Sequence, residues 1–257
     1  GFWLRPANAR ADAHMLYIHG GGYVLGSAEA FLHFAGQIAA RVGANAFVPE
    51  YRLAPEHPFP AAIDDVVAAY RGLVAEGAER IVVVGDSAGG GLTLSLLSIL
   101  ASDNTKGTVL PAGAAVMSPW TDLALTGESF ETRAEADPIF TRGVLQGFAD
   151  MYLQGEDPTN PRASPLHADL EGLPPVRIDV GDNEVLLADS VRYAGRARAA
   201  GVEIALSVWE GMPHVFQSSL GQFVAAEQSV NAISDFLRRR LVAPADNVVL
   251  SNPLKGA

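Results

Sequence analysis

A chain of 257 residues, 49% hydrophobic and 18% charged, is long enough to form one large domain with a full core. Its formal charge of −11 argues against a nucleic-acid or anionic-lipid partner, either of which would call for a basic patch. The lack of cysteine removes disulfides, thiolate metal sites and a thiol nucleophile together, and it fits a reducing, cytoplasmic setting. No apolar run approaches the roughly 18 residues of a membrane span, so no stable membrane insertion is expected. No secretory signal is visible, although the chain opens on Gly1 rather than Met.

In chain order, apolar runs predict strands at His14–His19, Ala44–Glu50, Arg80–Gly85, Ala112–Ser118, Val176–Gly181 and Glu203–Trp209. Several are rich in Val and Ile with almost no polar interruption, as in strands buried on both faces of a parallel sheet. Helices fall between them. The clearest starts at Pro60, a residue suited to a first helical turn. Ile63, Val66, Val67, Tyr70 and Val74 then share one face, and Gly77 ends the helix. Residues 89–101, 188–200 and 226–240 also read as helices. This alternation predicts an α/β fold, a mostly parallel sheet flanked by helices, in a single domain spanning 1–257. Residues 122–165 break the rhythm with four prolines and one helical patch, Gly143–Tyr152. They are too long for an ordinary connection and predict a cap inserted over the mouth of the sheet. Periodicity stops after Arg240, and Ala243–Ala257 reads as a loosely held tail.

The strongest chemical signal is Gly85-Asp86-Ser87-Ala88-Gly89-Gly90, between a strand and a helix. A Gly-x-Ser-x-Gly turn in that setting throws the serine out at the top of the sheet. It also leaves the Ala88 N–H at a helix N-terminus, an end suited to an anion. A serine hydroxyl needs a histidine base, an acid to orient the histidine and backbone donors for the oxyanion. His19-Gly20-Gly21-Gly22, directly after a strand, is the candidate oxyanion loop, because three glycines let backbone N–H groups turn inward. Of six histidines only His214 lies in the last quarter, in a Gly/Pro loop after a strand, where chain order puts the base. Asp182, Glu184 and Asp189 all follow the preceding strand and compete as the acid. Local pattern does not separate Asp182 from Glu184. Tyr23, next to the glycine loop, either borders the pocket or is a core tyrosine.

Taken together, HGGGYVLGS at 19–27, YRLAPEHPFPAA at 51–62, GDSAGG at 85–90, SPW at 118–120, SPL at 164–166, GLPPVRIDVGDNEVLLADS at 172–190 and GMPHVF at 211–216 resemble the hormone-sensitive-lipase-like branch of the α/β-hydrolase superfamily, which includes many bacterial carboxylesterases. The resemblance implies a serine esterase for short-chain carboxylic esters that uses no metal and no organic cofactor. A lactonase, amidase or deacetylase on the same triad is the alternative, and a non-catalytic ligand-binding relative is a more distant one, since such relatives lose the histidine that stands here as His214. It further implies Glu184 as the acid, standing where the family's Asp-Pro-Leu-x-Asp-Glu motif opens. The oxyanion donors it implies are the backbone N–H groups of Gly21, Gly22 and Ala88, with His19 shaping their loop and Glu56 as a buried structural acid. A homodimer through the edge strand Glu203–Trp209 fits the same pattern. Members of this branch carry cap helices and two antiparallel strands before the HGGG strand. Only Gly1–Ala13 stands there in this sequence, so the first part of the cap is expected to be absent from it.

Overall fold

The computed structural model describes residues 1–103 and 109–242; the predicted tail, Ala243–Ala257, lies outside them. Its centre is a seven-stranded sheet of β1 (Phe2–Leu4), β2 (Arg10–Ile18), β3 (Ala44–Val48), β4 (Arg80–Asp86), β5 (Gly113–Met117), β6 (Val176–Gly181) and β7 (Ile204–Trp209). The spatial order is β1-β3-β2-β4-β5-β6-β7. All neighbours are parallel except β1, which pairs antiparallel with β3. The six predicted strands are present. β1 was not foreseen.

The continuous apolar strands are explained by cover on both faces. Side chains alternate along a strand, so Ile81 and Val83 of β4 face one side while Val82 and Val84 face the other. On the first side lie α2 (Ala61–Ala75), α3 (Ser87–Ser102) and α6 (Leu187–Ala199), contributing Ile63, Val66, Tyr70, Leu97 and Tyr193. On the second lie α1 (Ala28–Val42) and α7 (Val224–Leu241), contributing Ile38, Val230, Ile233 and Leu237. The predicted 60–77 helix is α2, with Gly77 in the left-handed region at φ 94° just beyond its end. Helix α1 was not foreseen, although Ser27 caps it through the Ala30 N–H at 3.2 Å and Gly43 closes it at φ 75°. Two cap-segment helices, α4 (Ser129–Thr132) and α5 (Arg142–Leu153), lie between β5 and β6.

Register decides where the chemistry gathers. Ile18 pairs with Gly85 at the carboxyl ends of β2 and β4, so the glycine loop emerges beside the serine turn. Met117 pairs with Asp179 and Gly181 with Trp209, bringing the loops after β5, β6 and β7 to the same edge. Ligand sites of open α/β sheets form at such carboxyl ends. Among the described residues no helix is long and apolar enough to cross a membrane.

Candidate active site

The turn between β4 and α3 is tight because two glycines permit it. A Cβ on Gly85 would fall on the Gly89 carbonyl and within 2.5 Å of Thr93 Oγ1. One on Gly89 would collide with the carbonyls of Ile18 and His19. Ser87 is held at φ 53°, a conformation that side-chain-bearing residues rarely adopt. It keeps 8% exposure, as does His214, so both are reachable from solvent, whereas Glu184 is fully buried.

The three side chains form one hydrogen-bonded chain. Ser87 Oγ lies 2.9 Å from His214 Nε2, and His214 Nδ1 lies 2.5 Å from Glu184 Oε2. With Nδ1–H donated to the carboxylate, Nε2 is free to accept the serine proton. The other carboxylate oxygen, Oε1, accepts from the Gly181 N–H at 2.9 Å and from the Ser118 hydroxyl at 2.8 Å. Ser118 also accepts from the Val215 N–H at 3.1 Å, tying the acid to the residue after His214. The histidine loop passes directly over Gly181, where a Cβ would strike the Met212 carbonyl. Of the competing acids, Asp182 is partly exposed and accepts from the Gly211 N–H at 2.6 Å. Asp189 is buried and turns to the backbone of Thr121 and Asp122. Neither is hydrogen-bonded to His214. Ser118 has no role assigned from sequence beyond its place in the SPW match; a serine immediately after the strand beside the elbow strand was the available signal.

Gly21 and Gly22 stand at φ 121° and 62°, and their N–H groups donate to no protein acceptor among the described residues. The Ala88 N–H belongs to the first turn of α3, where amides lack helical partners. The glycine loop is anchored at its start. Asp86 Oδ1 accepts from the Gly20 N–H at 3.2 Å and from the Tyr17 hydroxyl at 2.7 Å. Burial pushes the Asp86 carboxyl up to about 6. His19 stacks on Tyr51 at 4.3 Å, and its Nδ1 lies 2.7 Å from the Gly20 carbonyl. Burial lowers its pKa, so it is a neutral ring that shapes the loop. Tyr23 is a core residue, stacked on Tyr152 at 4.1 Å. Glu56 differs from expectation. It is exposed, on the turn before α2, and the acid that pairs with Arg52 of the same stretch is Asp65, at 2.7 Å.

Segment 122–165 reaches the site at three points. Phe140 meets the His214 ring edge-on at 5.0 Å. Phe148 of α5 covers Gly22, where a Cβ would come within 2.5 Å of its ring. Asp137 accepts from the N–H of Val185, next to Glu184, at 2.8 Å. Among the described residues no group of three or more His, Asp or Glu side chains could hold a metal ion.

Comparison with known proteins agrees with this fold. A family described as alpha/beta hydrolase fold matches residues 15–218. An acetyl-hydrolase of Streptomyces hygroscopicus is 40% identical over 239 residues, covering 92% of this chain and 78% of the relative. An esterase of Acinetobacter venetianus is 36% identical over 233 residues, covering 90% of this chain and 76% of the relative. A crystal structure described as an esterase from the bacterial hormone-sensitive lipase family superposes with a TM-score of 0.89 at 44% identity, covering 93% of this chain and 80% of that one. The chain belongs to the α/β-hydrolase family. Within it, the chain falls in the hormone-sensitive-lipase-like branch of carboxylic-ester hydrolases.

Proposed function

We propose that this protein cleaves short-chain carboxylic esters through an acyl-enzyme on Ser87. The observation that carries the reading is the unbroken chain from Ser87 through His214 to the buried Glu184. In this reading His214 takes the Ser87 proton as the hydroxyl oxygen attacks the ester carbonyl. The negative oxygen that develops is met by the backbone N–H groups of Gly21, Gly22 and Ala88. His214, charged and held by Glu184, returns its proton to the alcohol oxygen as the C–O bond breaks. Water, deprotonated by the same histidine, then releases the acid and restores Ser87. Every proton moves through one imidazole, so the sequence of steps calls for no metal or organic cofactor.

Small acyl groups are favoured by two observations. Phe148 crowds the space beside Gly22. The Streptomyces relative is named an acetyl-hydrolase. The outer edge of β7 ends the sheet and supports pairing with a second copy.

A fluorophosphonate probe tests the reading. It should label Ser87 in the wild type and nothing in Ser87→Ala, and that variant should fold yet lose hydrolysis of p-nitrophenyl acetate and butyrate. Substantial turnover by folded Ser87→Ala would overturn the mechanism.

A further inference from the structure

We propose that Asp189 is a positioning residue that sets the triad acid through Ser118. This rests on the triad reading above. Asp189 lies in the first turn of α6 and is fully buried. An acid there commonly serves the N-terminus of its own helix. This one turns away from it. Its Oδ2 accepts from the N–H groups of Thr121 at 2.7 Å and Asp122 at 2.9 Å, and lies 3.3 Å from the Thr121 hydroxyl. Those groups follow Ser118 by only a few residues, and Ser118 donates to Glu184 Oε1. Glu184 in turn stands shortly before Asp189 along the chain. The two side-chain contacts therefore close a ring: Glu184 to Ser118, along the backbone to Thr121, across to Asp189, and back along the chain to Glu184. The same stretch presents the Trp120 N–H to the Ser87 carbonyl at 3.0 Å. Opening the ring at Asp189 frees the loop that orients both the acid and the elbow.

The surroundings make a purely stabilising role a poor account. Asp189 Oδ1 has no partner among the described residues. A second buried acid, Asp122, lies alongside. Arg192, at 3.0 Å, and the His167 ring, with Nε2 at 3.2 Å, both turn to Asp122. A half-satisfied buried carboxylate with a like charge beside it costs stability relative to a neutral isostere. What it supplies is an acceptor at a fixed point between two segments of the active site.

The test compares Asp189→Asn, Asp189→Ala, Ser118→Ala and the double alanine variant by steady-state kinetics and by the rate of Ser87 phosphonylation. Asp189→Asn keeps an acceptor oxygen and should stay within a few-fold of wild type. Asp189→Ala should lose about tenfold in kcat and in labelling rate, with KM unchanged. Its kcat/KM profile should also have the acidic limb moved to lower pH, because a misplaced carboxylate holds the His214 proton less tightly. Ser118→Ala should show the same shift, and the double variant should be no slower than Ser118→Ala alone. If the alanine variant does not fold, Asp189→Ser carries the same expectations. Additive losses, an unmoved acidic limb, or an asparagine variant as slow as the alanine one would each overturn the proposal. Failure of wild-type Ser87 to be labelled would instead overturn the triad reading beneath it.

Discussion

The Tyr17 hydroxyl donates to Asp86 Oδ1 across 2.7 Å, joining the strand that ends in the glycine loop to the strand that ends in the serine turn. The same oxygen takes the Gly20 N–H, so one buried carboxylate fixes the spacing between the nucleophile and its proposed oxyanion donors. Tyr17→Phe should cost about 1–3 kcal/mol of stability, because a buried acceptor loses a donor. It should also lower kcat more than it raises KM, since one oxyanion donor is worth about 10²–10³ in rate and the loop that carries two of them loosens. Chemical denaturation and steady-state kinetics measure the two effects. An unchanged kcat in a destabilised variant would show that the tie holds the fold and not the loop.

Asp86 also gives stability a pH dependence with a definite sign. Burial raises its folded pKa to about 6, while the unfolded side chain titrates near about 4. The folded state therefore holds a proton that the unfolded state has released. Its contribution is greatest below about pH 4 and declines as pH rises to about 6, then stays level. Asp189, raised to about 7 chiefly by burial with the Asp122 charge adding to it, acts in the same direction up to about pH 7. Asp86→Asn has no such titration. Its melting temperature relative to wild type should rise between about pH 4 and about 6 and stay level above. A difference that does not change with pH would mean that Asp86 titrates normally in the fold.

Glu184 and Asp182 differ in what they touch, and that difference predicts their kinetics. Glu184→Gln leaves the shape of the site but removes the charge that stabilises the imidazolium and sets the tautomer. Losses of about 10⁴ in kcat attend such a change in a related triad. Asp182→Asn only weakens a loop contact to the Gly211 N–H and should stay within a few-fold of wild type. Side-by-side turnover of one ester by the two variants decides the matter. The reverse ranking would remove Glu184 from the triad.

The parallel strands were legible because burial on both faces leaves a continuous apolar imprint that needs no partner to interpret. Helix α1 left a pattern as well: Ala28, Ala35, Ile38, Ala39 and Val42 share its buried face between the Ser27 and Gly43 caps, so it was open to the same reading as α2. β1 is three residues long and owes its strand character to pairing with β3, a contact that no local pattern contains. Within the site, turn chemistry and chain order point to Ser87 and His214, whose side chains the fold brings to 2.9 Å. Spacing alone left Glu184 level with Asp182, and it took the family resemblance to favour Glu184. The roles of Ser118 and Asp189 depend on which loops the sheet register brings side by side. Glu56, which the resemblance implied to be a buried acid, is exposed on the turn before α2, a placement that only the path of that turn decides.

Phe148 and Phe140 flank the reacting centre on different sides, and this predicts separable effects on substrate choice. In the proposed tetrahedral intermediate the leaving oxygen faces His214 Nε2 and the oxyanion faces Gly21 and Gly22. Phe140, edge-on to His214, then borders the alcohol. Phe148, over Gly22 on the oxyanion side, borders the acyl chain. Phe148→Ala should move the kcat/KM optimum to longer acyl chains. Each methylene newly buried adds about 0.8 kcal/mol, roughly fourfold in kcat/KM. The same variant should leave the ranking of a series of acetate esters with lengthening alcohols unchanged. Phe140→Ala should do the opposite, reordering the alcohols and sparing the acyl profile. Two p-nitrophenyl and alkyl ester series run on both variants measure this directly. If both variants relax both series equally, the rings act as a common lid rather than as separate walls.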